Sequence, residues 1–368
     1  MKRILFLIHD LGQGGAEKVL VNLVNHMDAN QFDITVMSLF DIGINKQFLK
    51  PNITYKSCFR RIPRGNSHLM KLLSPRQLHK WLIKEHYDIE IAYLEGPCAR
   101  IISGCPHEDT KLVSWIHIQQ HTQKRAASSF RSVKEAESCY NRMDQIVCVS
   151  QGVQKDFLSL LNIHAPVQVL YNTNESDKIR KLSKEPVPSM AQNCVKLVGV
   201  GKLLKSKGFD RIVRIVGRLF AEGYSLHLYL LGTGPEQSNL ESLIRQLDLT
   251  EHVTFLGYQT NPYRFLSKCD LFVCASFAEG FSTAATEALI VGTPVCTVEV
   301  SGMKEMLGEH NEYGIVTKND ENALYEGIKC LLDNPAMLQH YTNQACLRGK
   351  DFSTEETVRA VEDMLFSL

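Results

Sequence analysis

The stretch Ile4-Leu5-Phe6-Leu7-Ile8-His9-Asp10-Leu11-Gly12-Gln13-Gly14-Gly15-Ala16 decides the fold. The consecutive apolar residues Ile4 to Ile8 suit a strand buried on both faces, as in a parallel sheet. Glycines follow at positions 12, 14 and 15. Ala16, Val19, Leu20, Leu23, Val24 and Met27 then recur at helical spacing and form one apolar face. Ile34-Thr35-Val36-Met37 supplies the next strand, which completes a β-α-β unit. A short signal peptide over Met1 to Ile8 is the other reading; a strand is expected instead, because the apolar run is brief and no small-residue cleavage site follows.

The same rhythm extends outward. Further strands are predicted at Ile89 to Leu94, Leu112 to Ile116, Ile146 to Val149 and Val167 to Leu170. It pauses over residues 172 to 193, a polar stretch with Pro186 and Pro188, and then restarts. Strands are predicted at Val195 to Val200, Leu226 to Leu231, Val253 to Leu256, Leu271 to Ala275 and Pro294 to Val298. Ile212, Ile215, Val216 and Leu219 mark a helix between the first two of these. The expected fold class is α/β, with two Rossmann-like doubly wound parallel-sheet domains facing a cleft. The expected boundaries are a first domain at 1–178, a linker at 179–193 and a second domain at 194–350. A C-terminal helix at 351–368, with Val358, Val361, Met364 and Leu365 on one face, is expected to pack back toward the first domain.

Composition narrows the function classes. The chain has 368 residues, which suits two ordinary domains. Lys+Arg 41 against Asp+Glu 40 excludes a strongly basic nucleic-acid binder. The 11 cysteines form no C-x-x-C pair, which points to reduced thiols in a cytoplasmic protein with neither disulfides nor a zinc site.

Three stretches could carry chemistry. Gly12-Gln13-Gly14-Gly15 lies between strand and helix, where backbone N–H groups can approach a phosphate; a plain tight turn is the other reading. Gly201-Lys202-Leu203-Leu204-Lys205-Ser206-Lys207-Gly208 follows a strand, and its lysines suit a diphosphate or simply a solvated loop. Glu279-Gly280-Phe281-Ser282-Thr283-Ala284-Ala285-Thr286-Glu287 follows another strand. Ser282 or Thr283 is expected to cap the next helix, with Glu287 in its first turn and Glu279 in the loop before it. Free helix N–H groups for phosphate beside carboxylates for hydroxyls suit a nucleotide-sugar. Glu287 could equally complement a helix dipole, and Glu279 could be an exposed loop acid.

These motifs, in this order, resemble the retaining glycosyltransferases of family 4, which have the two-domain GT-B fold. The resemblance covers essentially the whole chain. Its most specific part is Glu279 to Glu287, with Gly280-Phe281 inside and Ala288 after. Gly201-Lys202-Leu203 with Lys207-Gly208, Leu231-Gly232-Thr233-Gly234-Pro235, Val149-Ser150, Tyr171-Asn172, Phe255-Leu256-Gly257 and Gly292-Thr293-Pro294-Val295 match in order. The resemblance implies that Lys202 and Lys207 bind the donor diphosphate and stabilise the departing nucleotide. It implies that Glu287 binds the ribose, and that Glu279 with the backbone from Phe281 through Ser282 to Thr283 holds the transferred sugar and its phosphate. Gly14, Gly15, Gly201, Gly257 and Gly280 complete the implied donor site, with Gly15 bringing backbone to the β-phosphate. His117, past a predicted strand end, matches a family histidine that reaches the donor sugar, although a polar residue at a strand end is the plainer reading. The family usually has Arg at position 202, and a lysine there keeps the charge but loses the bidentate fork.

The implied enzyme is a retaining glycosyltransferase that moves a hexose or N-acetylhexosamine, on family frequency from a UDP-sugar. No cofactor and no metal are expected, because the chain contains no D-x-D; Asp88-Ile89-Glu90 is the nearest. Charge then separates the domains. Residues 1 to 178 hold 22 Lys+Arg against 17 Asp+Glu. Between Asp41 and Glu85 lie ten basic residues and no acid: Lys46, Lys50, Lys56, Arg60, Arg61, Arg64, Lys71, Arg76, Lys80 and Lys84. Leu69, Met70, Leu72, Leu73, Leu78, Trp81 and Leu82 are interleaved, and Lys124, Arg125, Arg131 and Lys134 add a second basic stretch. Such a surface suits an anionic membrane, with an ordinary solvated face as the alternative. With the family's first domain binding acceptor, a polyprenyl-diphosphate-linked glycan is expected at the inner face of the cell membrane, in capsule, exopolysaccharide or O-antigen synthesis. A nucleotide-sugar 2-epimerase-like enzyme and a non-catalytic sugar-binding homologue are the competing readings. A NAD-dependent dehydrogenase is disfavoured, because this chain lacks the full G-x-G-x-x-G and the acid about 20 residues after it.

Overall fold

The computed structural model describes residues 1–12, 14–61 and 70–368. Gln13, Arg64 and Leu69 of the stretches above lie outside the described residues. The chain divides into two compact units, residues 1–173 with 355–368 and residues 174–354.

The first unit holds a seven-stranded parallel sheet of order β3-β2-β1-β4-β5-β6-β7. Its strands are β1 (Lys2–Ile8), β2 (Phe32–Phe40), β3 (Thr54–Phe59), β4 (Ile89–Ala92), β5 (Lys111–Ile116), β6 (Gln145–Cys148) and β7 (Val167–Val169). Ile4 through Ile8 are wholly buried, which explains the unbroken apolar run of β1 at the sheet centre. The second unit holds six parallel strands of order β10-β9-β8-β11-β12-β13. They are β8 (Val195–Val200), β9 (Leu226–Leu231), β10 (Val253–Gly257), β11 (Leu271–Cys274), β12 (Val295–Val298) and β13 (Ile315–Thr317). Leu197, Leu228, Leu230 and Val273 from these strands meet Ile212, Val216 and Leu219 of the helix Phe209–Ala221 in one core. In each sheet the strand order reverses beside the first strand, between β1 and β4 and between β8 and β11. Loops at the carboxyl ends of that pair are where an open α/β sheet binds ligand.

Two strands escape the periodicity reading, β3 and β13, and both are sheet edges. Thr54-Tyr55-Lys56-Ser57-Cys58-Phe59 is only partly covered, so its sequence lacks an apolar run, and β13 has only three residues. The boundary also differs from expectation. The polar stretch after position 172 contains a helix, Ser176–Leu182, that belongs to the second unit. It buries little beyond Ile179 and Ser176, too sparse a face to register as a helix in sequence. Ser176 Oγ is 3.2 Å from Thr354 Oγ1 in the same unit.

The helix Thr354–Ser367 buries Val358, Val361, Met364 and Leu365. Within the first unit, Lys2 Nζ donates to Leu365 O at 2.8 Å, and the Asp28 amide donates to Glu362 Oε1 at 2.7 Å. Phe366 packs on Phe32 with ring centroids 5.0 Å apart. All 11 cysteines are free. One of them, Cys105, lies in a buried cluster with His79 and Glu90, where His79 Nε2 is 2.7 Å from Glu90 Oε2.

Candidate active site

In the second unit the switch-point loops after β8 and β11 meet. Lys207 Nζ lies 2.6 Å from Glu279 Oε1. The same oxygen accepts a 2.7 Å bond from Ser276 Oγ. Backbone joins the loops as well, since the Phe277 amide donates to Ser206 O at 2.8 Å. Gly208 makes the approach possible. It has φ +64°, and a Cβ there would stand 2.2 Å from Ala275 O. Burial works against the charge on Lys207, but the adjacent Glu279 carboxylate, through charge and hydrogen bond, outweighs it and raises the lysine pKa. The ammonium is therefore fixed as a cation at neutral pH. Glu279 has only 12% of its side chain exposed, so the reading of a loose loop acid is set aside.

Ser282 caps the helix Thr283–Ile290 by accepting from the Ala285 amide at 3.4 Å. Glu287 lies beyond the first turn of this helix and is buried. That corrects the expected first-turn placement, and it weakens the dipole reading, because the macrodipole acts on the terminal turn. Phe281 is buried with its ring 6.1 Å from Phe352, which leaves its backbone as the part that could serve a ligand. Gly201 and Gly257 close β8 and β10: the Gly201 amide donates to Leu231 O at 2.9 Å, and Gly257 O accepts from the Gly232 amide at 2.8 Å. Gly280 precedes Phe281 in the same loop. Lys202 is exposed, and the structure does not bring it into an ion pair with the Lys207–Glu279 couple.

In the first unit, Gly14 caps the helix Gly15–His26 in extended conformation with no side-chain bond, and Gly15 is exposed. The Gly12 amide donates to Asp10 Oδ1 at 2.8 Å, and Asn45 Nδ2 donates to Gly12 O. His117 follows β5, with its ring 4.9 Å from that of Tyr93. Its Nε2 is buried and has no hydrogen-bond partner among the described residues. Burial lowers its pKa to about 3, so the imidazole is neutral. The expected donor-site residues thus fall in both units, and the side chains that make direct contact are Lys207 and Glu279. Ser276 and Glu95 were missed by sequence reasoning. Each directly follows the end of a strand predicted from sequence, Leu94 and Ala275, the same signal that singled out His117.

Comparison with known proteins gives the family and the fold. Residues 13–174 match Glycosyltransferase Family 4, and residues 186–348 match Glycosyl transferases group 1. The chain belongs to the family 4 type of glycosyltransferases and has the GT-B fold. It is similar to the N-acetylgalactosamine-N,N'-diacetylbacillosaminyl-diphospho-undecaprenol 4-alpha-N-acetylgalactosaminyltransferase of Campylobacter jejuni, 27% identical over 98% of each chain. It is also similar to the lipopolysaccharide core biosynthesis glycosyltransferase LpsD of Rhizobium meliloti, 25% identical over 90% of this chain and 88% of that one. In fold it resembles Anabaena HepE, crystallised with UDP, at TM-score 0.78, 21% identity and full coverage of both chains. Sucrose-phosphate synthase of Thermosynechococcus elongatus gives TM-score 0.79 at 15% identity, covering 100% and 99%.

Proposed function

We propose that this glycosyltransferase moves an N-acetylhexosamine or hexose, with retention, from a UDP-sugar to a polyprenyl-diphosphate-linked glycan in cell-envelope polysaccharide synthesis, without a metal. The observation that carries the proposal is the Lys207–Glu279 couple at the switch point of the second sheet. Cleavage of the anomeric C–O bond builds negative charge on the diphosphate. A lysine held cationic beside that position stabilises the charge as it forms. Lys202, exposed on the same loop, supplies a second cation. Glu279, bonded by Lys207 and Ser276, is set to accept sugar hydroxyls, and Glu287 the ribose. In a one-face reaction the departing phosphate takes the acceptor proton, so no protein nucleophile is needed. His117, neutral, could not act as an acid at pH 7.

The lipid-linked acceptor is supported by the Campylobacter relative, whose name specifies a diphospho-undecaprenol substrate. The first unit supports a peripheral site at the inner membrane face, though through fewer residues than the basic run implied. Lys46 pairs with Asp41, Lys56 with Glu85, and Leu78 is buried. Leu72 and Trp81 are 74% and 51% exposed and lie among Lys71, Arg76, Lys80 and Lys84. No helix among the described residues is long and apolar enough to cross a membrane.

The test is a donor screen by nucleotide release with lipid-linked acceptors, in EDTA and with added divalent metal, followed by assignment of the product anomer. Turnover on a UDP-sugar in EDTA that yields the α-linked product supports the proposal. An inverted product, a strict metal requirement, or epimerisation without acceptor refutes it.

A further inference from the structure

Beside β5, the first unit contains a construction that the donor chemistry above does not use. The loop 117–121 at the carboxyl end of β5 is gripped from both sides by the elements following its two neighbour strands, β4 and β6. From the β4 side comes Glu95: Oε2 accepts the His117 amide at 3.0 Å, and Oε1 accepts Gln120 Nε2 at 3.3 Å. From the β6 side comes Asp156, on the helix Gln151–Leu160. It accepts the Gln120 amide at 2.6 Å and the His121 amide at 3.2 Å. A third tie runs from Gln119 Nε2 to Gly152 O at 3.2 Å.

Three features set this clamp apart from ordinary loop satisfaction. Both acceptors are carboxylates directed at backbone N–H groups, and such charge-assisted bonds are the stronger kind. Glu95 holds its place although burial raises its pKa, against the bonds from His117 and Gln120 and the more distant charge of Arg125. His121 is held at φ +60°, a left-handed conformation uncommon for a residue with a Cβ. The loop so fixed begins at His117, whose ring lies against Tyr93.

We propose that Glu95 and Asp156 are positioning residues for sugar transfer: together they set the backbone of loop 117–121, and with it His117, in its working conformation before substrate arrives. The proposal rests on the reaction described above. Neither carboxylate needs to touch the reacting atoms. Their effect falls on orientation, and small misplacements of a reacting group are costly.

The experiment uses the full chain with its best donor and acceptor, in the variants Glu95→Ala, Glu95→Gln, Asp156→Ala and Asp156→Asn. Each alanine variant is expected to lower kcat by about ten- to a hundredfold while leaving the donor KM within about twofold. The single amide oxygen of Gln can keep the bond from the His117 amide, though not the one from Gln120 Nε2 as well, and that of Asn can accept from both the Gln120 and His121 amides, so these variants are expected to recover most of the loss. Amide hydrogen exchange supplies a readout free of activity. Glu95→Ala should speed exchange at His117, and Asp156→Ala at Gln120 and His121. Unchanged kcat in both alanine variants, or losses that track only the folded fraction and are not rescued, would overturn the proposal. A wild-type protein inactive on every donor defeats the proposed reaction instead. Exchange alone then decides the clamp, and unaltered rates at these amides refute it.

Discussion

Replacing Lys207 with Gln removes the charge but keeps most of the stem. In the wild type Nζ sits 2.6 Å from Glu279 Oε1, with 29% of the lysine side chain and 12% of the glutamate side chain exposed. At an effective dielectric near 20 the gross attraction of such a pair is about 6 kcal/mol. Most of it is offset by desolvation, and the residual exposure reduces it further, so the stability loss should be only about 1–2 kcal/mol. The catalytic loss should be larger. A donor aimed at charge that develops in the transition state is worth about 10²–10³ in kcat, or ~2.7–4 kcal/mol. The two effects separate experimentally. UDP release at saturating donor and acceptor gives kcat, donor titration gives KM, and a urea melt gives the stability term. The expected pattern is a kcat fall of about 10²–10³ with donor KM raised only a fewfold, in a protein that remains folded at assay temperature. A kcat within about threefold of wild type in a folded protein would refute the role assigned to Lys207, because among the described residues no other cation is paired with Glu279.

Other outcomes follow from the same geometry. Lys202→Ala should lower kcat without altering the urea midpoint, since the side chain is exposed, while Lys202→Arg should retain or improve turnover by restoring a bidentate fork. His79 is held at about 9, because burial, which lowers it, is outweighed by hydrogen bonds with Cys105 and Glu90. A folded pKa raised above the ordinary value stabilises fully below about pH 6.5 and fades as pH rises through about 9, so on the order of 3 kcal/mol should be lost between pH 6.5 and 10 relative to His79→Phe, measured by urea unfolding. Arg100, 1% exposed, donates to Glu135 and to the carbonyls of Met70 and Leu73, and Arg100→Met should cost about 3–5 kcal/mol by leaving the two carbonyls unpaired and Glu135 with Arg131 alone. Trp81→Ala combined with Leu72→Ser should weaken sedimentation with anionic vesicles at low salt while leaving turnover on a soluble acceptor analogue unchanged; equal sedimentation would remove these two side chains from the membrane surface.

How much could be read beforehand depended on what each residue had to tell. Ile4 to Ile8 spelled out β1 because a central parallel strand is apolar on both faces. β3 and β13 carried no such record, being edges with partly covered faces. Glu279 and Lys207 stood out through motif context, yet nothing in their spacing said that they touch, because their separation of 72 positions is closed only by sheet topology and by Gly208. The long basic run was legible as charge but overstated as surface. Asp41 and Glu85, the acids that bound it in sequence, fold back to neutralise Lys46 and Lys56. Burial of Glu287 was likewise invisible, since the position of a helix start moves an acid from the first turn to the second.

Both sheets use the same strand order, and that repetition carries the strongest argument about mechanism. In the second unit the loop after the first strand supplies the cation, and the loop after the fourth supplies the carboxylate that holds it. In the first unit the equivalent loops carry Gly12 and Gly14 after β1 and Glu95 after β4. There, among the described residues, the carboxylate is paired with no lysine and turns to the backbone of the next loop instead. On the proposed reaction, the difference follows from what each site must do. A departing diphosphate needs a fixed cation, and Lys207 would be costly to keep charged and partly buried without Glu279. A loop that begins at His117 needs fixed geometry, and carboxylates bonded to N–H groups supply that without adding a cation that would pull a phosphate to the wrong place. On the two proposals, one topology serves an electrostatic role in one unit and a positioning role in the other. Neutralising Lys207 should therefore leave exchange at the His117 amide untouched, and removing Glu95 should leave donor KM untouched.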